Sequence, residues 1–508
     1  MRSVARGGAP RAYPVPVTGP NAVHDVHAAH ADALGDAVSA EPAALEPYRT
    51  DRSGWTTPEV AAVAVRARSA ADVQAVLRIA SATRTPVVPR GAGTGLAGGA
   101  VGSAGAIVLD LSPMDRVLEI RPDDETAVVE PGVVTDDLDR ALEPHGLWWP
   151  PDPASRAIST VGGNISTNAG GLLCAKYGVT RESVLGLAVV LADGTFVRLG
   201  RRTVKGVTGY DLTALVVGSE GTLGVVVEAT LKLRRRDPAP AWTIGATFPT
   251  VVQAAAAAAS ITAAGLRPAA LELMDATACA AVDDLLAAAA DPDGPPASAS
   301  PDPGTGSALP SDGGATGIAL AGSGAFLLVR TDGADAAREA KRAVALVRGA
   351  GGRATVTDDP DEGERLLRVR RSVHPAFARL GEVLIEDVCV PRSALPEMFA
   401  AIGRISAATG IPIPTVAHAG DGNLHPNLVV PPALQGAPGE IPEVVWRAAD
   451  DLFTTALALG GTLTGEHGVG VLKRRWLERE LGEDVLALSR RVKAAFDPRG
   501  ILNPGKAL

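Results

Sequence analysis

Apolar and polar positions along the chain change period several times, and each change marks an element. A helical pattern covers 22–40. Val60–Arg68 alternates like a strand, and Ala70–Thr83 reads as a helix opening after Ser69, with Asp72 in its first turn. Pro86–Pro89 then leads into a glycine-rich loop, followed by short strands at 106–110, 116–121 and 126–130 and a helix at 135–145. Residues 150–180 are rich in Gly, Ser, Thr and Asn. Residues 184–233 form several strands with turns at Asp193-Gly194 and Gly221. Composition shifts near Arg234–Pro240, after which 242–290 mixes strand and Ala-rich helix. An ordered β/α pattern runs from about 325 to 432. A helix at 443–459, a glycine-rich turn at 460–470 and helices over 472–496 close the chain. No internal repeat is evident. The reading is α+β, with mixed sheets in at least two domains.

Length and composition narrow this picture. At 508 residues the chain exceeds one ordinary core. Residues 1–20 carry charge without an apolar stretch, which excludes a secretory signal and predicts a disordered N-terminus. Residues 291–316 hold one large apolar side chain, Leu309, too little to offset the entropy of ordering, so a disordered insertion is expected there. A net charge of -9 argues against nucleic acid, whose phosphates call for clustered Lys and Arg. Cys174, Cys279 and Cys389 lie far apart, show no metal or disulfide spacing, and read as small buried hydrophobes in a reducing, cytoplasmic compartment. No apolar run is long enough to span a bilayer, so any membrane contact would be peripheral.

Pro89-Arg90-Gly91-Ala92-Gly93-Thr94-Gly95-Leu96-Ala97-Gly98-Gly99 has five glycines in eleven residues. Without Cβ atoms, successive amides can approach a pyrophosphate and form an anion nest. A dinucleotide fingerprint of the doubly wound type fits poorly, because no long helix and no ribose-binding acid follow at the required distance. Taken alone the loop is also compatible with a structural turn. The second segment, Pro150-Pro151-Asp152-Pro153 followed by Ser159–Gly171 (STVGGNISTNAGG) and Lys176-Tyr177-Gly178, suits a surface pressed against a flat polar ring system.

The ordered spacing of PRGAGTG, STVGGNxxxNAGG, KxG and GSEGTLG (218–224) resembles the FAD-binding domain of the FAD-linked oxidases, the PCMH-type or vanillyl-alcohol-oxidase-type flavoproteins. The resemblance implies a PCMH-type FAD-binding domain of two α/β subdomains over 55–235. It further implies an α+β substrate (cap) domain with an antiparallel sheet over 236–455, and a C-terminal helical segment, 456–508, completing the site. It places Arg90, Gly91, Ala92, Gly93, Thr94, Gly95, Pro150, Asp152, Thr160, Gly163, Asn168, Gly170, Gly171, Tyr177, Gly178, Glu220, Gly221, Val226 and Asn503 around FAD. The first loop has no His or Cys for covalent attachment, so the FAD is expected to be non-covalent.

Further on, His418-Ala-Gly-Asp-Gly-Asn-Leu-His425 is flanked by apolar strands, Ile411–Ala417 and Leu428–Val430, and Asp421-Gly422 is a strong turn dipeptide. Folding there brings His418 and His425 together, as Zn²⁺ or a similar ion requires. In Thr464-Gly465-Glu466-His467-Gly468 the glycines let the backbone bend. Glu466 can then complete an open His/His/Glu site, Zn or Mn being the expected ion, while His467 stays free as a base. A structural His pair and a solvated Glu-His loop are the competing readings of each motif alone.

This pattern resembles the narrower group of D-lactate dehydrogenase, D-2-hydroxyglutarate dehydrogenase and the glycolate oxidase FAD-linked subunit. The resemblance implies oxidation of a small D-2-hydroxy acid, D-lactate or glycolate being favoured. His467 would be the base, Asn427 would lie near the substrate, and Arg370, one of three arginines in Leu367–Arg371, would face its carboxylate. The hydroxyglutarate enzymes carry a Lys two residues before the Asp of their Asp-x-x-x-Pro motif. Here Ile385 stands at that place before Asp387, which disfavours a second carboxylate. The electron acceptor would be a quinone, a cytochrome or an electron-transfer flavoprotein. A homodimer and peripheral contact with the inner face of a membrane are both compatible with the chain. Competing readings are a hydroxyglutarate dehydrogenase, a non-redox flavin enzyme of the alkyl-glycerone-phosphate synthase type, an accessory flavoprotein subunit and a metallohydrolase.

Overall fold

The computed structural model describes residues 20–58, 60–290, 320, 322–436 and 440–508. The expected disorder at 1–20 and 291–316 falls, apart from Pro20, outside the described residues.

Three sheets organise the chain. The first has Val63–Arg66, Ile107–Asp110 and Val87–Arg90 in parallel, with Val38–Ser39 antiparallel at one edge. The helix Ala70–Thr83 crosses between the first two parallel strands reached by the chain. Ser69 caps it, its side chain accepting from the Asp72 amide at 3.2 Å, and Val73, Val76, Leu77 and Ala80 turn inward at helical spacing. The second sheet is antiparallel, with strands Val117–Arg121, Thr126–Val129, Val225–Lys232, Val184–Val190 and Phe196–Gly200 side by side. Each of these sheets has its own buried aliphatic core, where every fully buried Val or Leu contributes about 1.5–3 kcal/mol.

The third sheet is wholly antiparallel and eight-stranded. It runs from Arg353–Thr357 through Trp242–Phe248, Ala325–Thr331, Ala270–Asp275, Thr415–His418 and Asn423–Val429 to Val383–Ile385, with Val388–Cys389 also pairing Asn423–Val429. Helices Val251–Ala263, Ala336–Gly349, Leu395–Thr409 and Glu443–Ala458 carry its core on one face. The chain then returns to the first sheet: Val87 donates to the Ile501 carbonyl at 2.7 Å, and Asn503 donates to the Val87 carbonyl at 2.8 Å. Ile501 and Leu502 are part of the first sheet's core.

Several expected boundaries move. The helix expected over 22–40 ends at Leu34, because Gly35 takes a φ of 57° and Val38–Ser39 pairs with Ala64 and Val65 instead. The helix expected over 135–145 tightens into a 3₁₀ turn after Leu142, where Pro144 lacks an N–H. The strand expected from Ile411 starts at Thr415, since Pro412 and Pro414 cannot donate to a ladder. The strand expected from Val60 starts at Val63. Within the Gly/Ser/Thr/Asn-rich segment 150–180 stand the short helices Val161–Thr167 and Cys174–Tyr177. Of the three cysteines, all free thiols, Cys279 alone is buried; Cys174 and Cys389 are partly exposed.

Candidate active site

A cavity of about 1430 Å³ lies between the first two sheets and the third and receives residues from both sides. That exceeds the usual few hundred to 1,000 Å³ of a small-ligand pocket, leaving room for a dinucleotide and a second small molecule. Arg90 to Gly95, Thr160, Gly163, Glu220 and Gly221 line one part of it, while Gly170 lies against Glu466 and Asp152 near His418. The amides of Gly91 to Gly95 donate to no other described residue. Gly93 takes a φ of 71°, and a Cβ on Gly91 would meet the Thr160 hydroxyl. The loop therefore presents free N–H groups at close range, a cradle that fits a pyrophosphate. The Arg90 guanidinium does not join them, for it donates to the carbonyls of Thr50 and Ala100 at 2.9 and 2.8 Å and fixes the loop from behind. Burial pushes the Asp152 carboxyl up to about 7.

Seven residues expected around the cofactor are not brought to the cavity wall. Asn168 ends the helix Val161–Thr167 in the left-handed region and accepts from the Arg181 amide. Gly171 packs against the Asp152 carbonyl, where a Cβ would collide. The Tyr177 hydroxyl donates to Asp332 at 2.6 Å and its ring meets Trp148 edge-on. Gly178 takes a φ of 84° beside Glu182. Pro150 is buried, and Val226 packs inside the second sheet. Asn503 donates to the carbonyls of Gly99 at 3.0 Å and Glu220 at 2.8 Å, so it supports the wall from the second layer. Glycines and amides read alike in sequence whether they line a cavity or turn a chain.

The other part of the cavity is built from charged side chains. His418 ends the strand Thr415–His418 and His425 lies two residues into Asn423–Val429, across the turn at Asp421-Gly422, where Gly422 has a φ of 96°. Their rings meet edge-on at 5.1 Å. Glu466 completes the group: its Oε1 lies 3.5 Å from His418 Nε2 and 3.1 Å from His425 Nε2. One ligand atom from each lies within 4.8 Å of the others. His467 stacks on His425 at 5.0 Å, and burial pulls its imidazole down to about 3, leaving it neutral.

Two acids that sequence reasoning left without a role hold this part together. Glu272, 1% exposed in the strand Ala270–Asp275, accepts from His418 Nδ1 at 2.9 Å and from Arg370 Nε at 2.9 Å. Burial opposes its ionisation, but His418 and Arg370 outweigh it and keep the carboxylate below its usual range. The signal was an acid inside an otherwise apolar strand, ALELMD. Asp387, fully buried, takes four donors on one oxygen: Thr464 Oγ1 and the amides of Gly465, Glu466 and His467, at 2.5, 2.9, 3.1 and 3.0 Å. Burial raises its pKa, but Lys473, His467 and His425 more than compensate and hold it low.

Arg370 is 7% exposed and reaches the cavity with its terminal nitrogens unpaired among the described residues; its neighbour Arg371 pairs instead with Glu364. Asn427 also lines the cavity, but its Nδ2 is engaged by the carbonyls of His425 and Pro414 at 2.7 and 3.3 Å. Val369, Val373, Phe377 and Ile385 supply an apolar wall beside them.

A loop of free amides and a polar cluster of His418, His425, Glu466 and His467 thus line one cavity. Residues 61–200 match the family model "FAD binding domain", and 237–507 match "FAD linked oxidases, C-terminal domain". The chain is 40% identical to the glycolate oxidase subunit GlcD of Bacillus subtilis, over 86% of this chain and 87% of that protein. It is 34% identical to a D-lactate dehydrogenase of Archaeoglobus fulgidus, covering 88% and 91%. The 4-ethylphenol oxidase of Gulosibacter chungangensis shares the fold with a TM-score of 0.73 at 18% identity, covering 97% of this chain and 98% of that one. The chain belongs to the FAD-linked oxidases, and its fold is of the PCMH type. Among the described residues no helix is long and apolar enough to cross a membrane.

Proposed function

We propose that the protein oxidises a small D-2-hydroxy acid to the 2-oxo acid, with FAD held non-covalently and a divalent cation, Zn or Mn, held by His418, His425 and Glu466. The observation that carries this reading is the convergence of those three residues, His467 and Arg370 on the cavity that the Gly91–Gly95 amides open into. The donor set fits a cation: two imidazole nitrogens and one carboxylate face each other, and Glu272 fixes the His418 ring through Nδ1. Bound FAD supplies a two-electron acceptor for the hydrogen on C2, and the cation supplies a positive centre that acidifies the substrate hydroxyl.

The chain's own residues do the rest. The free nitrogens of Arg370 receive the substrate carboxylate, a planar fork for a planar anion. Glu272 accepts from both that guanidinium and the His418 ring on one oxygen, so the carboxylate and hydroxyl sites are tied together. His467, neutral and half-buried, accepts the hydroxyl proton. Ile385 puts an apolar side chain on the cavity wall beside Val369 and Val373, which favours lactate or glycolate over hydroxyglutarate. GlcD and D-lactate dehydrogenase among the relatives support this class.

The test is anaerobic bleaching of the oxidised flavin band by a panel of D- and L-2-hydroxy acids, with and without chelator. Bleaching by a short D-acid, lost on chelation, is expected. A flavin that stays oxidised with every acid of the panel refutes the assignment.

A further inference from the structure

The loop that carries Glu466 and His467 hangs between two carboxylates drawn from opposite halves of the molecule, Asp387 buried and Glu220 partly buried. Asp387, on the third-sheet side, takes the amides of residues 465 to 467. Glu220, on the FAD side, takes the next pair: Val469 N donates to its Oε1 and Gly470 N to its Oε2, both at 2.8 Å. Glu220 is itself fixed at every other polar point. Its amide donates to the Ser166 carbonyl at 2.7 Å, and its carbonyl accepts from Asn503 at 2.8 Å. Its φ of 52° is a conformation that non-glycine residues seldom hold without such support. The loop is shaped to meet it: Gly468 has a φ of 80°, and a Cβ there would lie 3.0 Å from the Glu220 carboxyl carbon. Gly470, with a φ of 49°, sits against the Ala97 carbonyl of the glycine-rich loop.

From this geometry we infer that Glu220 is a positioning residue: its carboxylate sets the loop that presents Glu466 and His467, rather than serving as a flavin contact. The inference rests on the proposed cation-and-base reading for its functional consequence, but the loop geometry stands apart from it. Glu220 and Asp387 grip the loop on either side of Gly468, so losing either grip frees the two functional side chains without removing them. Because Glu220 precedes Gly221 on the cavity wall, the part of the chain that encloses the cofactor also fixes the distance to the base.

The experiment compares wild type with Glu220→Gln, which keeps length but turns one acceptor into a donor facing an N–H. Four readouts are taken on the FAD-loaded enzyme. They are FAD per chain, hydrogen exchange of the amides of 465–470, Zn²⁺ affinity after chelator stripping, and anaerobic flavin reduction split into limiting rate and substrate Kd. Expected are unchanged FAD content, exchange roughly tenfold faster in that segment, Zn²⁺ affinity weaker by roughly tenfold or more, and a fall in limiting rate that exceeds any change in Kd. Glu220→Asp retains the carboxylate and is expected to show the same pattern at smaller size; it also serves if the glutamine variant does not fold. Loss of FAD with loop exchange and Zn²⁺ affinity unchanged would overturn the inference, as would unaltered exchange in both variants. If wild type is bleached by no hydroxy acid, the proposed function fails while the exchange readout still judges Glu220.

Discussion

Two parts of the cavity are built by opposite means. One, around the glycine-rich loop, is backbone: unpaired amides, glycines and a side chain, Arg90, that holds the loop. The other is side chains: three imidazoles, three carboxylates and a guanidinium, buried or half-buried and each leaning on another. A backbone site tolerates changes of chemistry but not of volume, because any side chain exposes the same N–H unless it blocks the approach. A side-chain site tolerates little change of chemistry, because each group is the counter-charge that lets its neighbour stay buried.

That contrast can be broken by substitutions of two kinds. The largest effect is expected at His467. His467→Ala should slow substrate-driven flavin reduction by about 10²–10⁴-fold while FAD content stays at the wild-type level, measured by stopped-flow absorbance. Retained reduction would remove the base from the scheme. Next is Glu272→Gln, nearly the same volume with the charge deleted. It should weaken Zn²⁺ binding about 10–100-fold and raise the substrate Kd through Arg370, both readable by titration. Around the glycine-rich loop the order of sensitivity reverses. Gly91→Ala, chemically minimal, should weaken FAD by roughly tenfold in a dialysis or fluorescence assay, since its Cβ meets Thr160. Thr94→Ser should leave FAD affinity within about twofold.

The smallest effect is one of pH. Asp387 has a folded pKa below the unfolded value of about 3.9, so the unfolded chain binds the extra proton first as acid is added. The stability that Asp387 confers is fully present above pH 4 or so and is lost as pH falls through its folded pKa. Thermal unfolding midpoints of the FAD-loaded protein should therefore drop more steeply below pH 4 in wild type than in Asp387→Asn. The variant should also start from a lower midpoint at neutral pH, having exchanged the charged acceptor of three amides and a hydroxyl for a neutral one. Parallel curves would contradict the argument.

What could be read from sequence follows the same divide. The turn dipeptide between His418 and His425 and the glycines around Glu466-His467 are local signals, and the structure brings all four side chains together. The helix Ala70–Thr83 was legible because its cap and its apolar spacing agree. Glu272 was not legible, for its partner His418 lies 146 residues away and no local rule links them. Asp387 was visible as part of a motif, but its service to a loop some 80 residues later was not. Tyr177 and Gly178, placed near the cofactor by the K-x-G resemblance, stand off the cavity wall, where long-range pairing of the Tyr177 hydroxyl with Asp332 could not be read from the motif. Arg90 shows a finer point: it lines the cavity as expected, and the carbonyls of Thr50 and Ala100 that its guanidinium holds could not be read from the motif.

The return of residues 501–503 to Val87 has a consequence for biogenesis. The amide of Val87 finds its acceptor, and its carbonyl finds its donor, on a stretch that leaves the ribosome more than 400 codons later. The nascent cofactor-binding half must wait with an open sheet edge and a gap in its aliphatic core until translation is nearly over. Chaperone demand during synthesis should therefore concentrate on that edge.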